Sequence, residues 1–290
     1  MSNELTLAQE TGQSLAEMMG LSSSTGGQSA TLARVSQIHT PVMGTVEMNG
    51  KQLKTEVLPV GAYKVVMADD TVAYAEAVEI RIFAMRQQWQ RWHSETETMQ
   101  KTVMANNLNG DLKDNTGGFN LGRPSGYIKD FSALPDATKE VIRSVKRMKI
   151  FFGTITLIEP KDENGDALEG EFTDVPFVMD VKNRDSMKSL DDAVAALAKR
   201  NVLPIMYTLK LGYDVHSLPN GNNYATITAK LGQKVELTEQ DNETLRDFMD
   251  YIQYVNAYIL GKWEEKNIEG LSDEDAAIVG QLVDVDGDDE

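Results

Sequence analysis

The sequence predicts an α+β protein built mostly of antiparallel strands, with one helix inserted between late strands and a long helix after them. Three observations carry this. Short apolar or alternating runs recur between residues 42 and 230, separated by turn pairs such as Asn49-Gly50, Asp69-Asp70, Asn164-Gly165 and Asn220-Gly221. Residues 186–199 place Met187, Leu190, Val194 and Leu197 at helical spacing. From Thr238 to Trp263, the residues Leu245, Phe248, Ile252, Val255 and Ile259 form one apolar stripe. Such a sheet is compatible with a closed or partly open five-stranded barrel, and equally with several other α+β folds.

Residues 1–35 read as a flexible arm, because the Ser, Thr, Gly and Gln run at 22–29 cannot bury apolar surface. Within the arm, residues 15–21 suit a turn or two of helix. The core is expected over 36–236. Thr45 to Met48 and Gln52 to Val57 flank Asn49-Gly50, a turn pair that accepts positive φ, and predict a hairpin. Tyr63 to Met67 and the run from Val72 predict a second. In 78–83, Val78, Ile80 and Ile82 alternate with Glu79, Arg81 and Phe83, so the strand has an apolar face and a face carrying Arg and Phe. Residues 105–130, with five Gly and five Asn, predict a long mobile loop. Residues 136–147 predict a short helix with basic residues in its last turn. Strands follow at 149–157, 176–181, 205–211 and 224–230. Thr238 and Asp241 stand at capping-box spacing at the start of an amphipathic helix over 237–267. An acidic, disordered tail is expected over 268–290.

Charge is unevenly distributed. The chain carries −17 overall. Residues 271–290 hold eight carboxylates, among them Asp284, Asp286, Asp288, Asp289 and Glu290, and no Lys or Arg. Residues 81–149 hold twelve Lys or Arg against seven Asp or Glu. General adhesion to DNA or an anionic membrane is excluded by the net charge, so any contact with nucleic acid must be a local patch. The chain has no cysteine, which excludes disulfides and thiolate chemistry and fits a reducing cytoplasm. No run approaches a membrane span, and the first residues carry no leader pattern. Phosphate-loop, nucleophile-elbow, H-E-x-x-H and dinucleotide motifs are absent, so no catalytic residue, cofactor or metal is predicted.

The constellation that remains mixes cations with aromatic rings. Arg81, Phe83, Arg86, Trp89, Arg91 and Trp92 fall within thirteen residues. Phe119, Arg123, Tyr127 and Lys129 continue the pattern in the Gly-rich segment, and Arg143, Lys146, Arg147, Lys149 and Phe151 follow it. Single-stranded nucleic acid is held by this mixture, because bases stack on aromatic faces while cations track the phosphates. Of Phe151 and Phe152, one is expected in the core and the other as a stacking platform.

In the order of these parts the chain resembles the phage-type single-stranded DNA-binding proteins. The parts are early hairpins, a strand leading to Arg and Trp, a Gly/Asn-rich insertion, the basic strand Lys146-Arg-Met-Lys-Ile-Phe-Phe, the run Pro176-Phe-Val, a late helix and an acidic end. The resemblance implies an oligonucleotide-binding barrel, sequence-tolerant binding of single-stranded DNA in replication or recombination, and a tail that recruits replication or recombination proteins. It also implies the cytoplasm, that of the host if the protein is viral. The tail departs from the pattern by lacking a terminal aromatic residue. The alternatives are a viral assembly protein that associates with itself through the 237–267 helix, and an enzyme without a familiar motif.

Overall fold

The computed structural model describes residues 32–48, 51–219, 221 and 223–269. Its frame is β6 (Ala77–His93), a strand of 17 residues where the sequence predicted one ending near Phe83. The strand continues because Ile82, Phe83, Trp89 and Trp92 are strand formers and no Gly or Pro interrupts them. Before it come β1 (Ala33–Gln37), the hairpin β2 (Val42–Met48) and β3 (Lys51–Leu58), and β4 (Tyr63–Val66) with β5 (Val72–Ala75). After it come β7 (Thr98–Lys101), α1 (Asp136–Ser144), β8 (Lys146–Ile158), β9 (Val175–Val181), α2 (Arg184–Ala198), β10 (Tyr207–Ser217), β11 (Asn223–Lys234) and α3 (Glu239–Glu269). The predicted arm boundary at residue 35 falls inside β1, whose Ala33 and Val35 are buried. The rest of the arm, the Asn49-Gly50 turn and the tail from residue 270 lie outside the described residues.

The fold is α+β, with a mixed but mostly antiparallel sheet in the order β11-β10-β6-β8-β9-β1-β4-β5. β7 pairs with the far end of β6, and β2-β3 forms a separate two-stranded sheet. The β1–β9 pair is parallel and the other pairs are antiparallel. The expected five-stranded barrel is not what forms. The sheet curls until the Tyr63 hydroxyl of β4 donates to the Gly212 carbonyl of β10 at 2.7 Å, yet among the described residues no ladder joins β5 to β11. A core of Val35, Tyr63, Ile80, Phe151, Ile155 and Phe177 fills the curl, and Met187 and Leu190 of α2 join it.

The two outer strands of the larger sheet are each partly covered. On β11 the Ile227 and Ala229 N–H groups donate to Ser186 Oγ and Ser189 Oγ of α2, each at 2.9 Å. On β5 Tyr74 exchanges two backbone hydrogen bonds with Lys161, at 2.9 and 2.8 Å.

A bulge near Phe83 separates the two halves of β6. Register runs Ile82↔Gly153 and then Ala84↔Phe152, so one residue of β6 has no partner and the alternation resets. Gly153 is required there: a Cβ would stand 1.8 Å from the Arg81 carbonyl oxygen. Beyond the bulge Ala84, Arg86, Gln88 and Gln90 share the face covered by α3, while Met85, Gln87 and Trp89 share the other with Phe151, Lys149 and Arg147.

The stripe on α3 packs on the sheet. Phe248, Ile252 and Ile259 are buried, each contributing on the order of 1.5–3 kcal/mol. The capping box forms as spaced: the Thr238 N–H donates to Asp241 Oδ2 at 2.8 Å, and the Asp241 N–H donates to Thr238 Oγ1 at 3.2 Å.

Candidate nucleic-acid interface

The predicted site residues divide at the bulge. Arg81 is buried and committed. It donates through Nη1 to Asp241 at 2.9 Å, and through Nε and Nη2 to the Ile205 carbonyl at 3.2 and 3.1 Å. It does share a face with Phe83, whose ring lies 5.3 Å from the guanidinium. That face lies beneath α3, with Phe83 packed edge-on to Phe248 at 5.6 Å. Burial pushes the Asp241 carboxyl up, but the Arg81 hydrogen bond and the Thr238 N–H and hydroxyl outweigh it and hold the group below its usual range. Phe151 and Phe152 are both fully buried, so neither is a stacking platform. Phe151 lies in the curl, and Phe152 lies against Phe248 and Tyr251. Arg86 donates to the carbonyl of Met85 and to Met249 Sδ on α3. Arg81, Phe83, Arg86 and Phe151 are therefore structural.

Phe119 also belongs to α3. Its ring packs on Trp263 at 5.7 Å, although nearly half of its surface is exposed. The segment expected to be a mobile loop is organised as far as residue 122. The buried Asp114 accepts from the N–H groups of Thr116, Gly118 and Leu121 at 2.9, 3.2 and 2.8 Å. Asn120 accepts from the Leu112 N–H at 3.1 Å, and Trp263 donates to the Gly118 carbonyl at 3.0 Å. The readable signal was Asp114-Asn-Thr-Gly-Gly118, a run suited to a side chain gathering its own downstream amides.

The rest of the predicted set converges at the far end of the β6–β8 ladder. Trp89 stands opposite Arg147, and Gln90 opposite Lys146. Arg123 reaches back from the Gly-rich segment to lie 4.6 Å over the Trp89 ring, a cation–π contact. Burial lowers the Arg123 pKa, and its Nε is a buried donor without a hydrogen-bond partner. Arg91 donates to Gln100 Oε1 at 2.8 Å. Trp92 at the strand end is 58% exposed, beside the exposed Met99 of β7. Arg143 lies 5.6 Å over the ring of Phe131, an exposed aromatic that no periodicity in the sequence singles out. Lys146 and Arg147 are exposed and join β8 rather than ending the helix before it; Lys146 donates to the Arg143 carbonyl. Tyr127 is 90% exposed and Lys129 is exposed. Lys149 pairs with Asp191 of α2.

No protein-family model, curated protein or solved structure matches this chain. The site is therefore argued on its own geometry. Of the seven Lys or Arg in residues 119–149, Lys139 and Lys149 are ion-paired with Asp136 and Asp191, which leaves Arg123, Lys129, Arg143, Lys146 and Arg147, and Arg91 adds a cation from the neighbouring strand. Trp92, Tyr127 and Phe131 offer rings to solvent among those charges. This surface can hold a flexible polyanion whose bases are unpaired: rings stack on bases while the cations neutralise phosphates. Among the described residues no three His, Asp or Glu side chains group as a metal site, and no helix is long and apolar enough to cross a membrane.

Proposed function

We propose that this protein binds single-stranded DNA, without catalysis and without reading its sequence, through the end of the β6–β8 ladder. The observation that carries the reading is the Trp89–Arg123 stack with the exposed Arg147 beside Trp89 on one face of the strand end, while the exposed Trp92 and Lys146, which donates to the Arg143 carbonyl, stand at the same strand end on the other face. The order of the parts along the chain, which resembles that of phage-type single-stranded DNA-binding proteins, adds support, and replication or recombination is the setting it suggests. The curled sheet would then do the work of an oligonucleotide-binding barrel without being closed. The carboxylates Asp284, Asp286, Asp288, Asp289 and Glu290 would compete with phosphates for this surface and, when displaced, recruit partner proteins.

The test is titration of the full chain with fluorescent oligo-dT at low and high salt, with tryptophan emission followed in parallel. Expected are saturable binding, quenching, and an affinity that falls steeply with salt. Duplex of equal length should bind more weakly, because its base faces are hidden. Absence of binding at low salt overturns the reading. Self-association is the second reading, favoured by Tyr254, Tyr258 and Ile268 exposed along α3. It predicts a concentration-dependent mass that persists at high salt.

A further inference from the structure

On the face of the sheet opposite Trp89 lies a cleft of about 230 Å³. Register brings its walls together: Arg34 of β1 stands beside Val178, Val178 beside Phe152, Asp180 beside Ile150, and Gln90 beside Lys101. Tyr251 of α3 closes one side. The polar groups form a relay. Gln88, only 2% exposed, donates its amide to the Thr102 carbonyl and accepts from Gln90 Nε2 at 2.8 Å. Gln90 in turn hydrogen-bonds Asp180, on which the charges of Lys101 and Arg34 also act. Desolvation outweighs all three and raises the carboxyl above its usual range, although more than a third of the residue stays exposed. The Asp180 carboxyl offers acceptor oxygens, and the Gln90 amide beside it both donates and accepts.

An amide–carboxyl relay of this kind recognises a hydrogen-bonding edge, not charge alone, and the half-buried Tyr251 and Val178 beside it offer a flat partner an apolar wall. A cavity of about 150 Å³ accommodates benzene, so this cleft is scaled to one six-membered heterocycle with its exocyclic atoms. Arg34 is exposed and Lys101 half-buried, which leaves cations for an attached phosphate.

We propose that this cleft binds a pyrimidine nucleotide, with its base against Tyr251 and Val178 and hydrogen-bonded by Gln90 and Asp180, and its phosphate on Arg34 and Lys101. Gln90 borders the strand interface opposite Lys146, whereas Arg34, Lys101, Asp180 and Tyr251 lie outside it, so binding of a free nucleotide is tested separately from binding of a strand.

The probes are dTMP, thymidine, dAMP and inorganic phosphate, and the readout is the side-chain amide resonances of Gln88 and Gln90 in the full chain. Expected is saturable movement with dTMP, weaker binding of thymidine and dAMP, and no comparable movement with phosphate. Lys101→Gln and the surface variant Arg34→Gln should each weaken dTMP about tenfold and leave thymidine unchanged. If oligo-dT moves the same amides at lower concentration than dTMP, the nucleotide is delivered by a strand; if only dTMP moves them, it is free. Unmoved amides, equal movement with phosphate, dAMP binding as tight as dTMP, or dTMP affinity unaffected in both variants would overturn the proposal.

Discussion

Arg81 and Trp92 look alike in the sequence, one cation and one ring in a run of both, and the structure separates them completely. Arg81 is half of a buried pair, each side chain 9% exposed. Removing one partner of such a pair leaves an uncompensated charge, so Arg81→Ala should cost about 3–5 kcal/mol in urea denaturation while oligo-dT affinity of the folded protein stays the same. Trp92→Ala should do the reverse: little change in stability and a loss of about 1–3 kcal/mol in oligo-dT binding. The reason the two could not be told apart is physical. Alternation tells which residues share a face but not what covers the face, and Arg81 is covered by a helix that begins 158 residues later. Asp180 permits a test by pH. Its raised pKa means that the folded protein holds this proton more tightly than the unfolded chain, so its contribution is full below the ordinary carboxylate range and is lost as pH rises through the folded value. Asp180→Asn, which cannot ionise, should therefore melt slightly higher than the parent near neutral pH, the effect being small because more than a third of Asp180 is open to solvent, and the gap should close toward about pH 4. A constant gap across that range would mean that burial of the charge is not the cause.

The strands and helices with strong periodicity were legible: the first hairpin, β9, α2 and the striped α3 with its Thr238–Asp241 box. What was not legible depends on pairing. β1 is short and follows a polar run, and only its neighbours β4 and β9 make it a strand. The far half of β6 reads Gln-Gln-Trp-Gln-Arg-Trp-His, which has no clean alternation, and the bulge before it resets the faces. The Gly-rich segment departs furthest in kind from what its composition suggests, since its order comes from Asp114 and from close approach to α3. Gly117 sits at φ +88, where a Cβ would lie 2.7 Å from Lys266 Cβ. Gly117→Ala should cost more than about 1 kcal/mol, because the backbone angle disfavours a side chain and the segment could no longer approach the helix so closely. Hydrogen exchange should place the damage in the last turns of α3 and at Trp263. Protection of those amides equal to that of the parent would show that the segment adapts freely.

Taken whole, the chain is acidic with its cations concentrated between residues 81 and 149, and the distribution matters more than the sum. A chain of −17 would be repelled by a polyanion at long range, and salt would relieve that repulsion. Local release of counterions at Arg143, Lys146 and Arg147 acts the other way. Replacing Lys146 and Arg147 together by Ala should lower the slope of log affinity against log salt by roughly 0.7 for each phosphate no longer neutralised, equally for oligo-dT and oligo-dA. A change in preference between the two strands would mean that these side chains read bases. The partly covered outer strands bear on a different matter. If the protein coats a strand as proposed, it stands beside its own copies, where an unpaired ladder is a hazard. With Ser186 and Ser189 occupying two amides of β11, and Lys161 meeting Tyr74 on β5, two places at which a neighbour could add a strand are already taken. Contact at those places is left to side chains, which let go when the strand is withdrawn.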